Sequence, residues 1–259
     1  LLSRRQRQMC IRDRICMNKT VIVDCEDNLN KAKSIVRAPQ CIIFDLDGTL
    51  VNTIDDLGLA CDYLLEKHGI EPKWTVDDYK NFVGNGAKLL VKRAFENKLS
   101  EDELNSIYEE FKIKYDEIKL EHAHVYPGML NVVKALKNAG ITLVVCTNKP
   151  DIAAKGMINS LFPENTFDVV QGALDNKPKK PDPLVPAEIL NNLCVKAENS
   201  VWIGDSNVDI ESAHNLGCPG IGVTWGFRPA ENLISAGADL ILNNPKDILK
   251  IFDISIDNA

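Results

Sequence analysis

Apolar residues are arranged along this chain in two different ways. Between residues 52 and 125 they recur at intervals of three and four, as in Leu57, Cys61, Leu64, Leu65 and His68, and again in Leu104, Ile107, Phe111 and Tyr115. That spacing predicts amphipathic helices, the first closed by Gly69 and the second opened by Glu101 and Asp102 in its first turn. Elsewhere the apolar residues form short, nearly continuous runs at 41–44, 141–146, 167–170, 200–204, 220–224 and 238–242. Such runs read as strands buried on both faces. Helical patterns intervene: one on Leu130, Val133 and Leu136 after Pro127-Gly128, one over 186–196 and one over 209–216. Strands separated by helices of this length pair in parallel through right-handed crossovers. The fold class predicted is α/β, a three-layer Rossmann-like parallel sheet core with an inserted α-helical cap. The core comprises 40–51 and 126–259, and the cap 52–125.

The chemistry sits where the runs stop. The first run ends in Asp45-Leu46-Asp47-Gly48-Thr49-Leu50, two acids one residue apart at the carboxyl end of a strand, where open α/β sheets place their sites. Like charges held together need a metal, protons or a cationic partner. Gly48 allows a sharp turn, and Thr49 offers a hydroxyl beside the acids. A second acidic strand end follows at Gly204-Asp205-Ser206-Asn207-Val208-Asp209. Parallel pairing brings Asp45, Thr147 and Asp205 to one sheet edge. Within the cap, Gly84 and Gly86 flank Asn85 in a loop expected to be exposed, and Asn85 is the candidate contact for a small carboxylate or hydroxyl group of a substrate.

Charge is unevenly distributed. Residues 1–40 hold nine Lys or Arg against four Asp or Glu, whereas residues 41–259 hold 21 against 33. A body at -12 disfavours a nucleic-acid partner, so a small phosphorylated metabolite would need local cations and a metal. Residues 1–39 are expected to be a basic extension, disordered or spurious ahead of an internal start at Met9 or Met17, although 21–26 has the composition of a short strand. Eight cysteines lack metal-ligand spacing, and no stretch reaches the roughly 20 apolar residues that span a membrane. The expectation is a reduced cytoplasmic enzyme, monomer or homodimer, with no membrane partner.

Four motifs in order make the chain resemble the haloacid dehalogenase superfamily, and within it the phosphoglycolate phosphatases. They are 45–50, Thr147-Asn148, Lys180-Pro181-Asp182-Pro183 and 204–209, with the helical insertion directly after the first. The resemblance implies Asp45 as nucleophile, Asp47 as reversible acid and base, and Mg2+ held by Asp45, Asp205 and the Asp47 carbonyl. It implies phosphate binding by Thr147, Lys180 and the amides of Leu46 and Asn148. Asp209 is expected to orient a metal-bound water or Lys180, with Ser206 supporting the same loop. Lys180 is preferred over Lys177 and Lys179 as the site cation. The implied reaction is hydrolysis of a small phosphate monoester, 2-phosphoglycolate foremost. A phosphomutase of the beta-phosphoglucomutase type, or a broader sugar-phosphate, nucleotide or pyrophosphate hydrolase, stays open.

Overall fold

The structure is a computed structural model that describes residues 20–255. The basic segment up to residue 19, including both candidate starts, lies outside the described residues. In chain order the strands are β1 (Val21–Val23), β2 (Cys41–Phe44), β3 (Val51–Asn52), β4 (His124–Val125), β5 (Thr142–Pro150), β6 (Val169–Ala173), β7 (Ser200–Gly204), β8 (Gly220–Val223) and β9 (Leu240–Leu242). Seven of them form one parallel sheet in the order β1-β9-β8-β7-β2-β5-β6. The strand carrying the first acid is therefore central, between β7 and β5.

Alternation along β2 builds the layers. Ile42 and Phe44 face one side, packing with residues of α1 (Glu26–Ile35), α6 (Met129–Asn138) and α7 (Asp151–Leu161). Cys41 and Ile43 face the other, with Trp202 and residues of α8 (Leu184–Asn192) and α9 (Asn207–Leu216). All four β2 side chains are fully buried, which stabilises the fold by about 1.5–3 kcal/mol for each large one.

The insertion is a separate helical unit made of α2 (Ile54–Lys67), α3 (Val76–Phe82), α4 (Ala87–Ala94) and α5 (Glu101–Ile118). Both stripes read from the sequence face its core, apart from His68, which caps α2 and meets Glu110. Capping boxes fix the starts of α3 (Thr75 with Asp78) and α5 (Ser100 with Glu103). The chain enters and leaves the cap through β3 and β4, which pair antiparallel. Asp56, fully buried on α2, accepts the amides of His122 and Ala123 at 2.9 Å each and ties the way in to the way out. One core residue also belongs to the cap: Phe227 is buried in the helical cluster. Its neighbour Arg228 donates to the carbonyls of Lys80, Asn81 and Val83 at the end of α3.

Several expectations are corrected. The folded body does not begin near Gln40, because Val21–Val23 pairs with β9 and α1 buries Ala32 against the core. The signal was weak: α1 fully buries only Ala32, with Leu29 partly covered, and the rest of it is mostly polar, so its composition resembles a linker. β5 runs on to Pro150, and β6 lies later than the run at 167–170. On α6 Val133 and Leu136 are buried as expected, but Leu130 is exposed and Met129, Val132 and Ala135 complete the buried face.

Replacing Asp56 with Ala strands two buried amides at the cap hinge. Asp56→Ala should cost about 1–3 kcal/mol, read as a lower Tm in thermal unfolding, whereas an exposed-site control such as Asp102→Ala should leave Tm nearly unchanged.

Candidate active site

Asp45 follows β2 directly, and its amide donates to the Ile203 carbonyl at 3.0 Å, extending the ladder by one residue. The turn after it closes on Leu46, whose side chain is buried in the core and whose carbonyl accepts from Thr49, Leu50 and Val51. Gly48 has φ +85°, and a Cβ there would lie 2.3 Å from Asp205 Oδ2. Gly226 is as constrained: a Cβ on it would lie 2.3 Å from the Asp205 Cβ. The two glycines allow two turns to close around one carboxylate.

The sheet edge brings the predicted acids together. Asp45, Asp205 and Asp209 are buried and each offers an oxygen within 4.8 Å of the others. Asp209 has both oxygens committed: Oδ1 accepts from Lys180 Nζ at 2.7 Å and Trp202 Nε1 at 3.3 Å, and Oδ2 from the Ser206 amide at 3.1 Å and hydroxyl at 2.6 Å. Asp205 accepts from the Thr49 hydroxyl at 3.2 Å and the Phe227 amide at 2.8 Å. Asp45 Oδ1 lies 2.8 Å from Lys180 Nζ without hydrogen-bond geometry, so this buried oxygen has an ion-pair partner but no hydrogen bond. An all-carboxylate set with such an oxygen fits a hard divalent cation, while the oxygens of Asp209 are taken by Lys180, Trp202 and Ser206.

Electrostatics agree with an uncompensated negative site. Burial, with Asp209 and Asp45 adding to it, pushes the Asp205 carboxyl up to about 8. Burial and Asp209 push Asp45 up to about 6, against the pull of Lys180. Burial works to lower the Lys180 ammonium, but Asp209 and Asp45 outweigh it and the group is held above its ordinary range.

Above the acids, a cleft of about 660 Å³ separates core from cap, walled by Asp45, Asp47, Thr147 and Asp205 below and by Tyr108, Phe111 and Tyr115 of α5 above. The Thr147 hydroxyl oxygen accepts from the Lys149 amide at 3.2 Å, so its own hydrogen is available to an oxygen in the cleft. Asn148 is a bracket: its side chain accepts from the Lys180 amide at 2.9 Å and donates to the carbonyls of Lys180 and of Gly84 in the cap. Lys180 meets the acids from beneath the cleft, Lys179 lines the cleft wall, and Lys177 pairs with Glu188.

Asn85 is not brought to the cleft wall. It is exposed, with Oδ1 accepting from Arg93 at 3.1 Å, while Gly84 and Gly86 on either side line the cleft. What the sequence reading missed is a second buried cation, Lys149, bonded to Asp47 at 3.0 Å and to the Tyr115 hydroxyl at 2.7 Å. The signal was there: in a strand that continues past Thr147, the residue two further on shares its face. Thr53, donating to Asp47 Oδ1 at 2.8 Å, was missed because nothing in its spacing links it to an acid six residues earlier.

With this geometry in place, comparison with known proteins is informative. The family model for haloacid dehalogenase-like hydrolases matches residues 42–223. The phosphoglycolate phosphatase of Agrobacterium fabrum is 36% identical over 205 residues, covering 78% of this chain and 87% of that protein. The phosphoglycolate phosphatase of Vibrio parahaemolyticus is 30% identical over 220 residues, covering 83% and 96%. A solved structure from Haemophilus somnus, described as a predicted phosphoglycolate phosphatase, superposes with a TM-score of 0.77 at 29% identity, over 83% of this chain and 99% of that one. The acid-ended central strand, the capped cleft and these matches agree: the chain belongs to the haloacid dehalogenase-like hydrolases, as an enzyme of the phosphoric monoester hydrolase type.

Proposed function

We propose that the enzyme is a Mg2+-dependent phosphatase that hydrolyses 2-phosphoglycolate to glycolate and phosphate through an aspartyl-phosphate. The observation that carries this is the buried Asp45 carboxylate on the floor of the cleft, beside Asp205 and Lys180, with Asp47 on the same wall. Asp45 attacks phosphorus, and the bond to the ester oxygen breaks as Asp47 gives that oxygen a proton. Water then attacks the acyl phosphate, releasing phosphate and restoring the Asp45 carboxylate, while Asp47 takes the water's proton. Thr147 and the amides of Leu46 and Asn148 donate to the phosphoryl oxygens where charge develops. Mg2+, held by Asp45, Asp205 and the Asp47 carbonyl, supplies charge neutralisation and orientation of the phosphoryl group.

The choice of substrate rests on the relatives' activity and on the cleft's cations. Of the cations on its wall, Lys149 is held by Asp47 and Tyr115 and Arg228 by the α3 carbonyls, which leaves Lys179 to meet an ester whose organic part is itself an anion. We read the enzyme as cytoplasmic; its buried thiols Cys41, Cys61, Cys146 and Cys218 are free, and among the described residues no helix is long and apolar enough to cross a membrane.

Phosphate release across 2-phosphoglycolate, sugar phosphates, nucleoside monophosphates and pyrophosphate, with hexose-phosphate isomerisation followed in parallel, tests the reading. A dominant 2-phosphoglycolate rate is expected; comparable rates throughout would leave a general phosphatase, and isomerisation would make it a mutase. Asp45→Asn should lower turnover by more than about a thousandfold, and quenched wild-type enzyme should carry its phosphoryl adduct on the Asp45 peptide by mass spectrometry. An adduct on Ser206 would overturn the assignment.

The raised carboxyl of Asp205 also sets a pH dependence. A folded-state value near 8 against an ordinary value of 3.8 means the unfolded chain ionises first, so without metal the native state loses stability as pH rises between those values. A bound cation removes the cause. The rise in Tm produced by saturating Mg2+ should therefore be larger at about pH 8 than at about pH 6. Equal rises, or none for the wild type, would count against a buried carboxylate metal site.

A further inference from the structure

We propose that Lys149 is a positioning residue that holds Asp47 in its proton-transfer geometry and draws its own placement from the cap through Tyr115. The inference rests on the reading of Asp47 as the acid and base of the reaction. Lys149 sits on β5, with a side chain only 3% exposed. Its ammonium has three donors and three acceptors around it: Asp47 Oδ1 at 3.0 Å, Asp47 Oδ2 at 3.3 Å and the Tyr115 hydroxyl at 2.7 Å. The same nitrogen lies 4.6 Å from the centre of the Tyr115 ring.

Two of these acceptors belong to the core and one to cap helix α5, so the ammonium is fully coordinated only with the cap seated. On its other side Asp47 takes the hydroxyl of Thr53, the residue just before α2, at 2.8 Å. The carboxyl of Asp47 is thereby gripped between the cap's first helix and a lysine whose third partner is the cap's last helix. Removing a charge from water costs several kcal/mol unless its partners are well placed. A lysine needed only for packing would gain nothing from that burial, whereas one that fixes a carboxyl against a departing oxygen gains an aimed proton. In the step itself the proton passes from Asp47 to the ester oxygen as the phosphorus–oxygen bond breaks, and Lys149 keeps its own protons.

A good leaving group separates this role from a structural one, because 4-nitrophenolate departs without a proton and an alkoxide does not. Single-turnover release of the alcohol from 2-phosphoglycolate, or from the best alkyl phosphate of the panel, is compared with release of 4-nitrophenol from 4-nitrophenyl phosphate, using the full chain with saturating Mg2+. Asp47→Asn is expected to slow the alkyl ester by about 10²–10⁴-fold and the aryl ester far less. Lys149→Gln is expected to show the same selectivity at roughly 10- to 100-fold on the alkyl ester. Tyr115→Phe, which keeps the ring and removes only the hydroxyl, should shift in the same direction by a smaller factor, and Lys149→Arg should restore part of the loss. If Asp47→Asn slows both esters alike, the acid assignment itself falls and the proposal with it. If Asp47→Asn is selective but Lys149→Gln and Tyr115→Phe slow both esters equally, or neither, the positioning role is overturned while Asp47 stands. Should Lys149→Gln fail to fold, the selectivity of Tyr115→Phe decides between these outcomes by itself.

Discussion

The ammonium of Lys180 is the constraint on which the site depends. Three carboxylates meet at the carboxyl ends of β2 and β7, and bringing them there without a cation would cost several kcal/mol for each. Lys180 sits 2.8 Å from Asp45 and 2.7 Å from Asp209, and it reaches them only because its loop is pinned by the Asn148 side chain at both its amide and its carbonyl. Asn148 is itself placed by β5, the neighbour of the strand that Asp45 ends. Sheet register therefore decides where the positive charge stands. A slip between β2 and β5 would move the bracket and leave the acids unpaired.

The second organising feature is that cap and core share residues. Phe227 gives its amide to Asp205 and its ring to the cap's interior, and Arg228 holds the carbonyl end of α3. One residue further on, Asn148 reaches the Gly84 carbonyl. The cap thus meets the core through groups that also shape the reacting centre, and a change in its seating is felt by Asp47 and Asp205 through single side chains.

Much of this was legible in the linear pattern. Fully buried parallel strands need continuous apolar runs, so β2, β7 and β8 were visible, and the acids that end them had nowhere to go but the sheet edge. The two cap stripes were equally plain because amphipathic helices advertise their buried face. What stayed hidden depends on encounters between distant segments. Lys149 shares the face of Thr147 only because β5 continues past Cys146, where the apolar run stops, and Asn85 looked like a ligand-reading residue because its partner Arg93 lies in the next helix. β1 and α1 were obscured for a different reason: the apolar run is only three residues long, and the helix after it buries a single alanine with Leu29 partly covered among polar neighbours.

That first strand has a consequence for how the molecule meets others. β9 would otherwise be the last strand on its side of the sheet, three fully buried apolar residues with one row of amides and carbonyls unpaired, the kind of border that recruits strands from neighbouring chains. Val21–Val23 occupies that row in register, and the Val21 amide bonds to the Asp239 carbonyl at 3.1 Å. The new border is as short as β9, but its residues are less deeply buried and a largely polar helix follows it at once. The segment thus acts as a selvedge, finishing the weave on that side of the sheet with a strand of its own chain.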